Sequence, residues 1–300
     1  MRYFTKRRFM LLLAAVLGIL AAAGAVRWKR QIDRGGQMPV EPFRIAGNLY
    51  YVGTNDITAF LLTGPAGHVL IGDGREASAP LIMNSIAKLG FHITDVKVLV
   101  ISHSHFDHAG ALSALQKASG AKVWVSEPDA DVVAAGGAGD SSLGRWQFVS
   151  YLPFARYPPP RIDHRFKDGE TIHLGPIELT AHITAGHTPG STTWSFPVRD
   201  GERELLAVSV CTMVPPLILS RGDTARRRRV QSDFERSFKT LRSLPADIFL
   251  ASHAREFGRW RKLQQRATAK NPADPFIDRA GYLSDIDQSE AWVNQWLGDR

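Results

Sequence analysis

Cysteine is nearly absent from this chain of 300 residues: Cys211 is the only one. An intramolecular disulfide is thereby excluded, and so is a metal site built from several thiolates. Acidic residues are missing before Asp33 and again from residue 205 to residue 222. No internal repeat and no long low-complexity tract occurs. No S-x-x-K pattern lies near an expected strand end, so a covalent serine mechanism is not indicated. What remains is an ordinary globular composition, 44% hydrophobic and 22% charged, long enough for one large domain or two small ones.

The formal charge of +8 suggests a nucleic-acid partner, but its placement argues against one. Residues 1–25 hold Arg2, Lys6, Arg7 and Arg8 and no acid; without them 33 cations face 29 acids. Arg226 to Arg229 make up the rest of the excess. A neutral body with one basic stretch is not a polyphosphate-binding surface. The Arg run is expected to be a solvated loop, with a contact to anionic lipid or an acidic ligand as the alternative.

Those first cations precede an apolar run from Phe9 to Val26, and Ala23-Gly24-Ala25 has the small-residue spacing of a cleavage site. This is the layout of a secretory signal peptide. The length also suits a spanning helix, and Arg27, Lys29 and Arg30 make the charge asymmetry weak. Residues 1–26 are therefore read as a signal peptide or an N-terminal membrane anchor, and residues 27–300 as the functional domain. Either way the body is expected to be exported, to a bacterial periplasm, and to meet the membrane only through that segment. The oligomeric state is not legible.

The chemistry concentrates in Ser102 to Gly110, S-H-S-H-F-D-H-A-G. His103, His105, Asp107 and His108 offer imidazole nitrogen and carboxylate oxygen, ligands that suit zinc. Val96 to Ile101 reads as a buried strand and Ala109 to Ala118 as a helix. The cluster thus sits at the carboxyl end of a strand, where α/β sheets place their sites. His103 and His105 are two apart and face one way in extended backbone. Asp107 and His108 are neighbours and must diverge, which suggests a second metal.

Upstream, residues 48–53, 59–62 and 68–71 read as an antiparallel meander between turns, followed by a helix from Ser78 to about Lys88 with Pro80 near its start. Residues 121–125 read as a strand and 129–135 as a short helix. Residues 136–160 are rich in Gly and Pro, with Trp146, Phe148, Tyr151 and Tyr157 between them, and suit a flap over the site. Strands follow at 171–174, 177–183, 192–196, 204–210 and 247–251, and helices at 233–244, about 257–270 and 287–297. Two further histidines follow strands: His187 in A-G-H-T-P-G and His253 in A-S-H-A. His68, His92, His164, His173 and His182 stand beside no motif and suit surface or core roles.

H-x-H-x-D-H, G-H-T-P-G and the late S-H together resemble the metallo-β-lactamase superfamily, over about residues 39–298, and most closely its B3 β-lactamases. The resemblance implies an α/β (α+β) fold, a four-layer αββα sandwich of two mixed sheets with outer helices. It implies two Zn2+ per chain, the first on His103, His105 and His187, the second on Asp107, His108 and His253. It further implies a hydroxide shared by the two ions that opens the ring of a small-molecule β-lactam. Asp107 would orient that hydroxide, and Ser209 would meet the substrate carboxylate or a zinc-bound water. Two departures stand out. Leu70-Ile71-Gly72-Asp73-Gly74 carries its carboxylate one residue later than the family does. The stretch 205–222 lacks the metal-bridging acid of the glyoxalase-type and lactonase-type members. Cys211 as a ligand would imply a different subclass.

Overall fold

Alternation along the strands decides the layers. Phe60 and Leu62 point into one core while Leu61 between them points into another, and Val69, Leu70 and Ile71 divide in the same way. A strand with apolar residues on both faces must be covered on both. The computed structural model describes residues 38–215 and 224–298, together with Leu11 and Gly18. Strands β1 (Phe43–Ala46), β2 (Leu49–Tyr51), β3 (Phe60–Leu62), β4 (His68–Ile71), β5 (Val96–Val100), β6 (Lys122–Ser126) and β7 (His164–Phe166) form one sheet in that spatial order. Its first four strands are an antiparallel meander, and β4 to β7 run parallel. The second sheet has the order β12 (Ile248–Ala251), β11 (Arg203–Val210), β10 (Thr192–Asp200), β9 (Ile177–Ile183) and β8 (Thr171–Leu174). Only its β11–β12 pair is parallel. Both sheets are mixed, as expected.

Helices α1 (Ala79–Lys88), α2 (Phe106–Ala109), α3 (Leu112–Ser119) and α4 (Glu127–Ala134) belong to the first sheet. Ile82, Ile86, Leu112, Leu115 and Val133 pack there on Leu61, Leu70, Leu99 and Val123. Helices α5 (Thr224–Ser243), α6 (Arg259–Arg266) and α7 (Arg279–Gly298) belong to the second. Phe234, Phe238, Leu241, Tyr282 and Ile286 share a core with Phe196, Val208 and Phe249. Helix, sheet, sheet, helix is the four-layer sandwich.

Two expectations about the Arg run and its helix are corrected. The Arg run is not a loop: Arg226 to Arg229 lie in the first turns of α5, which starts nine residues before the expected Asp233. Arginine is a good helix former, and Val230, Phe234, Phe238 and Leu241 recur at helical spacing on the buried face. Strand β7 has no alternation to announce it; it pairs Trp124 with His164 and Ser126 with Phe166. Among the described residues no helix is long and apolar enough to cross a membrane. The expected leader, residues 1–26, lies outside the described residues apart from Leu11 and Gly18.

Candidate metal centre

Three turns meet at one edge of the sandwich. The first leaves β5 and enters α2, with His105 just before the helix. Asp73 holds its start, accepting the Ser102 N–H at 2.8 Å. The second, between β9 and β10, carries His187. Helix α5 presses on it: a Cβ at Gly186 would lie 2.7 Å from the Phe234 ring, and Ser237 Oγ donates to the Ala185 carbonyl at 2.7 Å. The third leaves β12 with His253, against the loop at residues 54–58, where Ala254 N–H bonds the Asp56 carbonyl at 2.7 Å. Buried Asp129 binds the first two turns together. It accepts the N–H groups of Ser104 (2.9 Å) and Gly190 (2.8 Å) and the Thr188 hydroxyl (2.7 Å).

Each imidazole has one nitrogen held from behind. His187 Nδ1 donates to the Val214 carbonyl at 2.6 Å. His105 Nε2 lies 3.2 Å from Asp140 Oδ2 and 3.2 Å from Ser142 Oγ. His108 Nδ1 lies 3.2 Å from Asp73 Oδ2, and His253 Nδ1 3.1 Å from Asp56 Oδ2. His103 Nδ1 meets Ser102 Oγ at 3.0 Å. Such contacts fix the tautomer and turn the other nitrogen toward the cluster, where His187 Nε2 and His105 Nδ1 lie 3.0 Å apart. Ligand atoms of His103, His105 and His187 lie within 4.8 Å of one another, and so do those of His103, Asp107 and His108. His103 thus stands between the two groups. His253 joins through its ring, 5.0 Å from that of His108; in the second group it is His103 that closes within that distance.

The residues fit a metal pair. His103 Nε2 is buried without a hydrogen-bond partner, an arrangement that costs about 1–3 kcal/mol unless something else binds it. Burial, with the neighbouring His108 and His187, holds His103 well below the usual histidine range, and burial with His105 brings His187 to about 3. Both are therefore neutral, as ligation requires. Burial lowers His105 and His108 too, but carboxylates outweigh it and both end raised, His105 through Asp140 and His108 through Asp107 and Asp73. Burial raises Asp107, yet His108 and His105 bring it down to about 2. Nitrogen and carboxylate donors without thiolate suit zinc.

The six expected ligands gather here, and Asp73 lies beneath His108 despite its shifted position. Ser209 is different. It sits inside β11, paired with Trp194 and Leu250, two residues before Cys211. Cys211 Sγ, just past the strand end, lies 3.6 Å from His103 Nδ1 and 3.6 Å from the Ser102 carbonyl oxygen. Burial pushes the thiol pKa up, and Cys211 belongs to neither group of side chains that could hold a metal. Asp56, Asp129, Asp140 and Ser142 escaped sequence reasoning, since no motif or period marks them. Residues 141–151 and 153–155 form short 3-10 turns beside the centre, with Trp146, Phe148 and Tyr151 exposed.

Residues 52–201 match the family model described as the metallo-beta-lactamase superfamily. The native FEZ-1 metallo-beta-lactamase from Legionella gormanii is similar at TM-score 0.81 and 36% identity, over 88% of this chain and 97% of that one. The class B3 di-zinc metallo-beta-lactamase LRA-12 from an Alaskan soil metagenome gives 0.78 and 32%, over 87% and 95%. A hydroxyacylglutathione hydrolase of Jannaschia sp. (strain CCS1) is 30% identical over 142 residues, 47% of this chain. The match spans 44% of that relative's length.

Proposed function

The chain belongs to the metallo-beta-lactamase superfamily of metal-dependent hydrolases, and we propose that it opens β-lactam rings with two zinc ions. The observation that carries this reading is the source of the second group's acid. It comes from Asp107, inside the H-x-H-x-D-H turn, while β11 and the chain after it carry no carboxylate from residue 205 to residue 222. The similar β-lactamase structures are matched over nearly their whole chains.

His103, His105 and His187 would hold one zinc, and Asp107, His108 and His253 the other. Zinc there supplies Lewis-acid polarisation of the lactam carbonyl and brings the pKa of water toward 7. Asp107 stays ionised at working pH, so its carboxylate accepts a hydrogen bond and orients the attacking water. Asp140, Asp73 and Asp56 keep His105, His108 and His253 in one orientation. Water adds to the carbonyl carbon, the C–N bond breaks and the nitrogen takes up a proton. The exposed aromatics of residues 146–151 offer the bicyclic nucleus an apolar face. A leader at residues 1–26 would carry this chemistry out of the cytoplasm, which fractionation of tagged full-length protein tests.

The test of function is hydrolysis of a chromogenic cephalosporin, a carbapenem and an acylglutathione thioester by the full chain, with zinc analysis. Two zincs per chain and chelator-sensitive ring opening are expected. Turnover of the thioester alone would transfer the site to thioester hydrolysis, the reading favoured by the partial hydroxyacylglutathione hydrolase match.

A further inference from the structure

The mechanism leaves three arginines beside the centre without a role. A groove of about 410 Å³ runs from His187 between residues 141–147 and the first turns of α5. Its walls carry Arg145, Arg226 and Arg229 against one carboxylate, Asp233. Asp233 already pairs with Arg236, which lies outside the groove. Arg226 is locked in place. Its guanidinium donates to the Ser142 carbonyl and lies against Gly144, where a Cβ would collide with Nη1. Ser142 in turn touches His105 through Oγ at 3.2 Å. The cationic wall is therefore built into the same segment that supports a ligand of the first zinc group.

We propose that this groove is a subsite for a carboxylate on the substrate's side chain, remote from the bond that breaks. The proposal rests on the β-lactam reading and specifies its substrates: β-lactams with an anionic acyl side chain. A guanidinium is planar and always charged, and binds carboxylate through two parallel N–H bonds. The volume suits a side chain rather than a whole macromolecule. The groove wall Gly186-His187-Thr188 is continuous with the metal centre, so a molecule reacting there reaches it without leaving the site.

Benzylpenicillin and carbenicillin differ by one carboxylate on the acyl side chain, and that pair is the probe. The readout is the ratio of their kcat/KM values with the full chain. Arg229→Ala and Arg145→Ala should each lower the carbenicillin-to-benzylpenicillin ratio about tenfold, the worth of one charged hydrogen bond. Added salt should lower the wild-type ratio as well. Arg228→Ala, exposed on α5 outside the groove, should leave the ratio unchanged. An unchanged ratio in Arg229→Ala and Arg145→Ala overturns the subsite while ring opening stands. An equal fall in Arg228→Ala also overturns it, since the effect would then be net charge. Should neither penicillin be opened, calorimetric binding of phenylmalonate separates the two claims. Binding by wild type that Arg229→Ala loses keeps the groove without the lactamase reading; no binding, or equal binding, sinks the groove.

Discussion

Asp140 and His105 face each other at 3.2 Å, the carboxylate on the 136–160 segment and the imidazole on the turn after β5. The same carboxylate accepts the Ser142 N–H at 2.8 Å. One side chain therefore couples the fold of the 136–160 segment to the orientation of a candidate metal ligand. Removing such a partner weakens metal binding by about 10–100-fold. Asp140→Ala should do so in competition with a chromophoric chelator, and should lower hydrolysis in parallel at limiting zinc. Wild-type zinc affinity in this variant would show that His105 is fixed by packing instead.

Asp129 makes a different prediction, about stability. It is buried at 1% exposure and satisfies two backbone N–H groups and one hydroxyl from two separate turns. Asp129→Ala leaves those donors buried and unpaired, at about 1–3 kcal/mol for each N–H. A loss of about 2–5 kcal/mol is expected in urea unfolding of the zinc-free protein. A loss below about 1 kcal/mol would mean that water replaces the carboxylate.

The contrast between these aspartates and the histidines they serve shows how far the sequence was legible. His103, His105, His187 and His253 each follow a strand, and local spacing made them visible. Asp56, Asp129 and Asp140 lie in loops or at a helix start, and each acts on a residue far away in the chain. Nothing local distinguishes them from turn residues. Helix α5 was half legible for a related reason. Its C-terminal half is amphipathic, while Arg226 to Arg229 show charge where the pattern needs an apolar residue.

Gly186 is a position where backbone conformation shapes the candidate site. Its φ is +143°, and Phe234 of α5 fills the space a Cβ would take. A side chain there costs about 1–3 kcal/mol in backbone strain alone, and the collision adds to it. Gly186→Ala should displace His187 and lower occupancy of one zinc while the other is retained. Metal titration of the variant should show one equivalent bound near wild-type affinity. Two equivalents at wild-type affinity would mean that Phe234 moves aside and the turn does not.

The helical edge beyond His253 predicts a pH dependence of stability. Burial raises Asp285 to about 7, helped by Glu256 and opposed by Lys262. The unfolded carboxyl has a pKa of about 3.9. Between about pH 4 and 7 the folded chain therefore holds a proton that the unfolded chain has released. Stability must fall as pH rises through that window, by up to about 1.4 kcal/mol per unit, and level off above it. Lys262 works in the opposite sense at higher pH. Burial lowers it to about 8, though it pairs with Asp278 at 3.1 Å. From about 8 to 10.4 the unfolded chain holds the extra proton, and stability rises with pH. Both groups weaken the fold most between pH 7 and 8. Asp285→Asn should flatten the acidic limb, to which buried Glu256 adds in the same sense, so the stability difference between variant and wild type should grow from pH 5 to pH 7.5. Urea unfolding at pH 5, 7.5 and 9.5 measures it, and a difference constant between pH 5 and 7.5 would show that Asp285 titrates as an ordinary exposed carboxyl.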